Sequence, residues 1–226
     1  MSSLGHRTCA VVLSAPSGAG KTTIARALVE GREDVVFSVS VTTRPARDHE
    51  VDGVDYHFLS EPKFSAMIEA DEFVEWAEVH GHLYGTSQKA LQDALDKGRF
   101  LILDVDVQGA MQMRQRVPDA VLVFVLPPAA DALVERLRER GSEGEDTLTR
   151  RIENARGELE KASEFDYIVV NENLEQAIDD VRSIVLAEGR RTVRAIDLSS
   201  EIRQLQVQID QILVEDFDRG LSPGAS

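Results

Sequence analysis

The feature that most constrains the fold is the stretch VVLSAPSGAGKTT, residues 11–23. An apolar run ends in a loop of small residues, and one lysine and two threonines follow the loop. The apolar run predicts a buried strand, and the following TTIARALVEG predicts a helix that ends at Gly31. A strand, a tight glycine-rich turn and a helix in this order are typical of an α/β protein with a parallel sheet.

The small residues of this turn favour phosphate binding. Backbone N–H groups converge on a phosphate only where the chain curls tightly and no side chain blocks the approach. The helix N-terminus that follows adds a partial positive charge. We expect Lys21 to reach the outer phosphates and the Thr22 hydroxyl to hold Mg²⁺, although Ala15 replaces the first glycine of the usual pattern. The predicted nucleotide-phosphate residues are Ala15, Pro16, Ser17, Gly18, Ala19, Gly20, Lys21, Thr22 and Thr23.

Three further apolar runs, RFLILDVD, AVLVFVL and FDYIVVN, are each followed by a helical pattern. Continuous rather than alternating apolar strands predict a parallel sheet that is covered by helices on both faces. We expect this core to comprise residues 8–36 and 99–189, with its last helix over 174–189. Asp104 ends the run FLILD, where its carboxylate can orient Mg²⁺ directly or through a water molecule.

The segment 37–98 has a different pattern. Apolar and polar residues alternate in VVFSVSV, which predicts a strand with one polar face, and DYHFLS and EFVEWAEV predict further short strands. SQKALQDALDKG predicts a helix that is capped by Ser87 and ends at Gly98. These features indicate a mixed α+β insert with a partly solvated sheet.

The charged, glycine-rich segment RERGSEGEDTLTRR, residues 138–151, has few apolar residues. Such a segment cannot build a core of its own, so we expect an irregular, mobile loop between two helices. It forms the centre of a predicted lid over residues 128–158.

The composition excludes several kinds of protein. The net charge of -15 argues against binding to nucleic acid or to an anionic membrane, and an anionic substrate would need cations that gather locally. The single cysteine, Cys9, cannot form an internal disulfide, and the N-terminal residues have no signal-peptide layout. The apolar runs are too short to span a bilayer. We expect a cytoplasmic protein.

Five motifs in the middle of the chain narrow the function. SVSVTTRPAR, DGVDYHF, FVEW, LYGTS and LDVDVQG occur in this order. Together they resemble guanylate kinase, and the resemblance extends over about residues 9–188. It implies a phosphate-loop α/β fold with an insert for the nucleoside monophosphate and a mobile lid. The implied reaction transfers the γ-phosphoryl group of Mg-ATP to GMP, and also to dGMP, for guanine nucleotide synthesis and recycling.

The resemblance assigns roles to individual residues. It implies that two arginines grip the GMP phosphate, that two tyrosine hydroxyls donate to it, and that hydroxyl and carboxylate groups contact the base or the phosphate. The implied GMP-binding residues are Ser40, Arg44, Arg47, Tyr56, Glu75, Tyr84, Thr86 and Asp106. The implied catalytic cations are Lys21, Arg44, Arg136, Arg140 and Arg151, and Asn171 is implied beside the adenine of ATP. Arg138 and Arg150 fit ordinary surface charge.

Glu75 carries the argument for a guanine base. Guanine presents two adjacent donors, its ring N–H and its amino group, to which one carboxylate can bind with both oxygens. Adenine presents an acceptor at the equivalent ring nitrogen, so lone pairs would face each other. A polar mismatch of this kind discriminates by up to about 10⁴-fold.

Two other functions fit parts of the pattern. A non-catalytic interaction module with the same fold would bind proteins through its cleft, but the intact Lys21 and Thr22 argue against it. A related kinase for another small phosphorylated acceptor, such as a ribose phosphate, would not need Glu75, Ser40 and Asp106 together.

The segment 191–226 lies beyond the resemblance. Its apolar residues are spaced by four, three, four and three positions, which predicts an amphipathic helix with a heptad seam. The seam residues are Leu198, Ile202, Leu205, Ile209 and Ile212. The seam favours contact between two copies of the chain, and the alternative is packing on its own domain. DRGLSPGAS, at the end, is predicted to be disordered.

Overall fold

A computed structural model describes residues 5–79, 81–139 and 145–220 of this chain. The residues fall into two compact units, Thr8–Glu188 and a smaller one that joins the N-terminal residues up to Arg7 with those from Gly189 onward. Within the described residues the strands are β1 (Ala10–Ser14), β2 (Val35–Phe37), β3 (Val41–Thr42), β4 (His57–Phe58), β5 (Phe73–Val79), β6 (His82–Ser87), β7 (Phe100–Asp104), β8 (Val121–Leu126) and β9 (Tyr167–Val170). The α-helices are α1 (Lys21–Ala27), α2 (Glu61–Glu69), α3 (Gln88–Asp96), α4 (Val107–Arg116), α5 (Ala130–Glu139), α6 (Glu145–Glu160), α7 (Leu174–Gly189) and α8 (Leu198–Gly220).

Five strands of the larger unit form a parallel sheet in the order β2-β7-β1-β8-β9. The predicted α/β fold, a parallel sheet flanked by helices, is confirmed. Since β1 and β7 are neighbours and run in the same direction, the loop after β1 and Asp104 at the end of β7 lie at the same edge of the sheet. Ligands of parallel α/β sheets bind at this carboxyl edge.

Successive residues of the central strands point to opposite faces of the sheet, and both faces are covered. On one face Val11, Leu13 and Ile102 pack with Ile24 of α1 and Val181 of α7. On the other face the alternate strand residues pack against α3 and α4, through residues that include Val12, Leu101, Leu103, Leu91 and Met113. Burial on both faces explains why these strands have continuous apolar sequences.

A second, mixed sheet has the order β4-β3-β6-β5. The β3 and β4 strands are parallel, whereas β3 and β5 each pair with β6 in antiparallel fashion. Phe64 of α2 stacks on Phe73 of β5 with ring centroids 4.4 Å apart, and Val41 completes this small core. Ser87 accepts a hydrogen bond from Ala90 N–H at the start of α3, as the predicted cap requires.

Two local predictions are wrong. VVFSVSV is not one strand, because Val35–Phe37 joins the parallel sheet and Val41–Thr42 joins the mixed sheet. The segment 138–151 is not an irregular loop throughout, because Glu145–Glu160 is helical. Leu148 and Ile152 of this helix pack on Leu133 and Leu137 of α5, and these few apolar contacts support a helix whose sequence is otherwise polar.

The smaller unit contains α8, which confirms the predicted C-terminal helix. Its seam residues Ile202, Leu205, Ile209 and Ile212 are between 47% and 58% exposed. In the same unit, the N–H of Arg7 donates to Arg194 O at 2.7 Å. Among the described residues, no helix has both the length and the apolar character that crossing a bilayer requires.

Candidate active site

A cavity of about 960 Å³ opens at the carboxyl edge of the parallel sheet, between the glycine-rich loop and the mixed sheet. Residues from both sheets and from α6 line it. The lining includes most of the predicted site residues, namely Ala15, Pro16, Ser17, Gly18, Ala19, Gly20, Lys21, Thr22, Ser40, Tyr56, Glu75, Tyr84, Asp104, Asp106 and Arg151.

The loop has the backbone geometry that phosphate binding requires. Gly18 and Gly20 have φ angles of +90° and +91°, a left-handed conformation that side chains disfavour. Ala19 N–H donates to Pro16 O at 3.0 Å, which closes the turn. Beneath the loop, the buried Asn171 amide donates to Ala19 O at 2.7 Å, and a Cβ atom at Gly20 would collide with the same amide. Asn171 therefore holds the loop, and its predicted contact with adenine stays a prediction.

Lys21 reaches from the start of α1 to the end of β7. Its Nζ atom lies 2.6 Å from Asp104 Oδ1 and also donates to Val105 O. Thr22 and Asp104 line the same cavity, so a hydroxyl and a carboxylate oxygen lie at one edge of the sheet. Mg²⁺ takes oxygen ligands and needs only one or two from the protein when phosphates supply others, so these residues fit the ion. Among the described residues, no cluster of three histidine, cysteine or acidic side chains suggests a separate metal site.

Glu75 lies in an unusual part of β5. Its register with β6 shifts between Phe73 and Glu75, so two steps along β5 match one step along β6 and the strand bends there. Such a bulge re-aims the side chain that follows it. Glu75 is only 4% exposed and lies opposite Thr86, which is buried as well and whose hydrogen bonding to the Glu75 carboxylate lowers the Glu75 pKa.

Burial raises the pKa of Glu75 to about 7, and the nearby Asp106 carboxylate acts in the same direction. Asp106 caps α4 by accepting a hydrogen bond from Gly109 N–H at 2.7 Å. A Cβ atom at Gly109 would lie 2.6 Å from Glu75 Oε2, so only glycine leaves room for this carboxylate. The first turn of α4 therefore forms one wall of the Glu75 pocket.

Arg44 and Arg47 are not among the residues that line the cavity. The Arg44 guanidinium lies 2.7 Å from Glu50 and 5.4 Å from the ring centroid of Tyr56. This contact lowers the pKa of Glu50 to about 2. Arg47 is exposed, and its backbone N–H also donates to Glu50 at 2.8 Å. Glu50 was not predicted from the sequence, because nothing in the local pattern sets it apart from other surface acids.

The predicted lid arginines are placed differently from one another. Arg151 lines the cavity and donates to Leu137 O at 3.3 Å, whereas Arg136 of α5 is outside the lining. Arg140 lies outside the described residues. Arg150, which was expected to be ordinary surface charge, is exposed and also lines the cavity.

Acidic groups outnumber basic ones around the cavity. The lining cations are Lys21, Arg150, Arg151 and Lys161, and the lining carboxylates are Glu75, Glu78, Asp104, Asp106, Glu153 and Glu158. The expected gathering of cations, with Arg44 and Arg47 beside Lys21, is therefore not assembled in this structure.

Glu158 of α6 is a further residue that the sequence analysis missed. Its carboxylate accepts a hydrogen bond from Ser17 N–H of the loop at 3.3 Å, and burial raises its pKa. Because α6 was not recognised as a helix at its start, no pattern pointed to this contact across 141 positions of the chain.

Comparison with known proteins agrees with this geometry. The sequence model of the guanylate kinase family matches residues 7–188. The chain belongs to the guanylate kinase family. A guanylate kinase of Syntrophotalea carbinolica is 44% identical over 197 residues, which cover 87% of this chain and 94% of that protein. A guanylate kinase of Dechloromonas aromatica is 48% identical over 178 residues, or 79% of this chain and 88% of that protein.

The fold of a solved guanylate kinase is also similar. The crystal structure of the guanylate kinase from Anaplasma phagocytophilum superposes with a TM-score of 0.72 at 34% sequence identity. The match covers 87% of this chain and 94% of that one. The resemblance stated from the five motifs is thus confirmed, and the chain is an enzyme of the guanylate kinase family.

Proposed function

We propose that this chain transfers the γ-phosphoryl group of ATP to GMP and forms GDP and ADP. The observation that carries the proposal is one cavity with a phosphate loop on one side and a buried guanine-type acceptor, Glu75, on the other. Its membership in the guanylate kinase family supports the same reaction. We include dGMP as a second acceptor, a role in guanine nucleotide synthesis and recycling, and a cytoplasmic location in the proposal.

The donor side is formed by the loop and by Lys21. The left-handed Gly18 and Gly20 leave the backbone N–H groups open to the ATP phosphates, and Lys21 offsets their negative charge. Thr22 and Asp104 would hold Mg²⁺, which supplies charge neutralisation between the outer phosphates. Before the substrate binds, the Asp104 carboxylate pairs with Lys21 and keeps its side chain extended across the edge of the sheet.

The acceptor side orients the GMP phosphate. Tyr56 and Tyr84 line the cavity with ring centroids 6.1 Å apart, and Arg44 lies against Tyr56. The phosphate would replace Glu50 as the partner of Arg44, since both present oxygen pairs to a planar guanidinium. Arg47 extends from the same segment and would join as a second cation.

The base side depends on the charge state of Glu75. Guanine donates two hydrogen bonds, so it requires the ionised carboxylate, whereas the empty pocket favours the neutral acid below a pH of about 7. GMP binding therefore draws the proton from Glu75. Ser40 and Asp106 line the cavity and supply further polar groups, and the buried Thr86 lies opposite Glu75.

No general base is needed, because the attacking phosphate oxygen of GMP is already anionic. Catalysis then consists of alignment and of charge stabilisation in the transferred group. Arg151 on α6 already lines the cavity, and closure of the α5–α6 lid would bring Arg136 and Arg140 toward the phosphates. Closure also excludes water, which would otherwise hydrolyse ATP.

Two observations argue against the other functions. A non-catalytic interaction module has no need of Lys21 and Thr22 in a phosphate loop with left-handed glycines. A kinase for a ribose phosphate has no need of a buried carboxylate opposite a buried hydroxyl, as in Glu75 and Thr86.

The deciding experiment measures ADP release in a coupled assay with Mg-ATP and GMP, dGMP, AMP, CMP or UMP. We expect turnover with GMP and dGMP and a background rate with the other three. Folded protein that forms no GDP from GMP would contradict the proposal, and equal rates with AMP and GMP would contradict the role of Glu75.

We propose further that α8 binds a second copy of the same helix. Ile202 and Ile209 alternate with Leu205 along the exposed seam, and this Ile and Leu pattern favours a coiled coil of two parallel helices. Gln206 and Gln208 flank the seam without charge, so two copies do not repel each other there.

Light scattering over a dilution series tests this contact. We expect a dimer that dissociates on dilution, and a chain that ends at Arg191 should be monomeric at every concentration. Ile209→Gln should weaken the dimer, whereas Val207→Gln, at an exposed position off the seam, should not. A monomeric full-length chain would exclude the contact and favour packing within the chain.

A further inference from the structure

The side chain of Gln112 on α4 binds both backbone groups of Trp76 on β5. Gln112 Nε2 donates to Trp76 O at 2.7 Å, and Trp76 N–H donates to Gln112 Oε1 at 3.1 Å. The backbone N–H can only donate and the carbonyl can only accept, so this orientation of the amide is the one that satisfies both groups. The residue is half-buried, so the two bonds are partly shielded from water.

The position of β5 explains which backbone contacts these two hydrogen bonds replace. The strand is at the edge of the mixed sheet, whose order is β4-β3-β6-β5. An edge strand presents backbone donors and acceptors that no neighbouring strand pairs. The amide of Gln112 places an N–H donor and a carbonyl acceptor side by side, as a peptide group does, so it pairs Trp76 as a neighbouring strand would.

Trp76 directly follows Glu75, and α4 contacts both. Gly109, one helical turn before Gln112, approaches Glu75 so closely that a Cβ atom would lie 2.6 Å from its carboxylate oxygen. Residues three apart share a face of a helix. One face of α4 therefore limits the space around the Glu75 carboxylate and fixes the backbone of the next residue.

We propose that Gln112 is a positioning residue for base recognition, acting by fixing β5 so that Glu75 presents its carboxylate to the acceptor base. Gln112 does not line the cavity, so it acts through Glu75 and not by touching the nucleotide. The inference rests on the proposed GMP kinase activity. It extends the base-reading site to α4, the helix that Asp106 caps and that follows the strand of Asp104.

The test compares Gln112→Met, which keeps the length of the side chain and removes both hydrogen bonds, with Gln115→Met, a matched change at an exposed position of α4. We expect Gln112→Met to raise KM for GMP by about tenfold and to lower the preference for GMP over AMP, while KM for ATP changes less than about twofold. Gln115→Met should change none of these values.

A double-mutant cycle separates positioning from general structural support. In a Glu75→Gln background, the carboxylate that Gln112 positions is gone, so Gln112→Met should lower kcat/KM for GMP by less than about threefold. An equal loss in both backgrounds, or equal rises in KM for GMP and ATP, would overturn the inference. If Gln112→Met fails to fold, Gln112→Asn supports the same cycle, because it keeps both groups but draws them back by one methylene.

A second readout does not depend on activity. The chain has one tryptophan, so a sample with isotope-labelled tryptophan gives a single backbone amide signal, that of Trp76. Hydrogen exchange at this amide should be at least about tenfold faster in Gln112→Met than in the wild type or in Gln115→Met. Unchanged exchange at Trp76 in Gln112→Met would overturn this inference and leave the proposed function standing. A wild-type chain that forms no GDP while Trp76 stays protected would overturn the proposed function, and the base-reading role with it.

Discussion

The two sides of the cavity are built in different ways. The proposed donor side is one contiguous segment, 15–22, from the end of β1 into the first turn of α1, and its expected phosphate donors are backbone N–H groups and one lysine. The acceptor side takes Ser40, Tyr56, Glu75, Tyr84 and Asp106 from five separate segments. The donor side is thus fixed by local geometry, whereas the acceptor side depends on a bulge, a helix cap and contacts between two sheets.

The difference predicts where substitutions act. Changes on the donor side should lower turnover with every acceptor, since ATP is common to all. Changes on the acceptor side should alter the choice of acceptor and leave the use of ATP intact.

Lys21→Ala should give the largest effect. Lys21 is the loop cation beside Asp104, and its loss should lower kcat by about 100- to 1,000-fold with GMP and dGMP alike. Steady-state kinetics measures the loss, and circular dichroism checks the fold. Lys161→Ala, at an exposed lysine that lines the same cavity, serves as the control and should lose less than about threefold. Similar losses of kcat in the two variants would contradict a specific catalytic role for Lys21.

Glu75→Gln should give the next largest effect. The preference for GMP over AMP, as the ratio of kcat/KM values, should fall by about 100-fold, because a neutral amide no longer offers two acceptors. KM for ATP should stay within about twofold. Glu78→Gln lies on the same strand and lines the same cavity but is exposed, so it should keep the preference. If both variants lose selectivity alike, the base is read elsewhere.

The same substitution should change stability in a pH-dependent way. The pKa of Glu75 is raised to about 7, so the folded state binds its proton more tightly than the unfolded state. The resulting stabilisation is complete below about pH 4.5 and is lost as the pH rises through about 7. Relative to the wild type, Glu75→Gln should therefore gain about 3 kcal/mol between about pH 4.5 and pH 8.

Urea unfolding of both proteins at several pH values measures this difference. The free energy of unfolding of Glu78→Gln should change with pH in the same way as that of the wild type. A difference between Glu75→Gln and the wild type that does not change with pH would show that the carboxyl titrates normally in the folded chain.

Glu158→Gln should give the smallest effect. Its carboxylate accepts from Ser17 N–H in the loop, so it lies where phosphates are expected and repels them. The amide keeps an acceptor but removes the charge, and KM for ATP should fall by about two- to fivefold with little change in KM for GMP. Isothermal titration with ATP measures the same change directly. Glu160→Gln, at an exposed position of the same helix outside the cavity lining, should leave ATP affinity unchanged, and a weaker affinity in Glu158→Gln would indicate that the acid supports the loop.

The comparison also explains how much the sequence could predict. The loop, Asp104 and the helix over 174–189 follow from local patterns, and the structure has them at the predicted positions. The bulge before Glu75 has no local signal, because it is defined by the register with β6. Phe37 and Val41 share an alternating pattern but join different sheets, since each pairs with a strand that is distant in sequence.

The missed residues have a common cause. Gln112 and Glu158 contact partners on other elements, Trp76 and Ser17, and Glu50 contacts Arg44 across a loop. A polar residue on a helix or a loop looks like solvent-exposed surface until its partner is placed. Side-chain contacts between elements are therefore the part of the site that only the fold supplies.

The narrow gap between Gly109 and Glu75 has a consequence for engineering. A mutant library that varied position 75 alone would keep a space shaped for a glutamate, and larger side chains would meet the first turn of α4. A shorter side chain at 75 would free the volume that a Cβ atom at 109 needs. Redesign for a different purine should randomise codons 75 and 109 together, because the side chain at each position limits the size of the other.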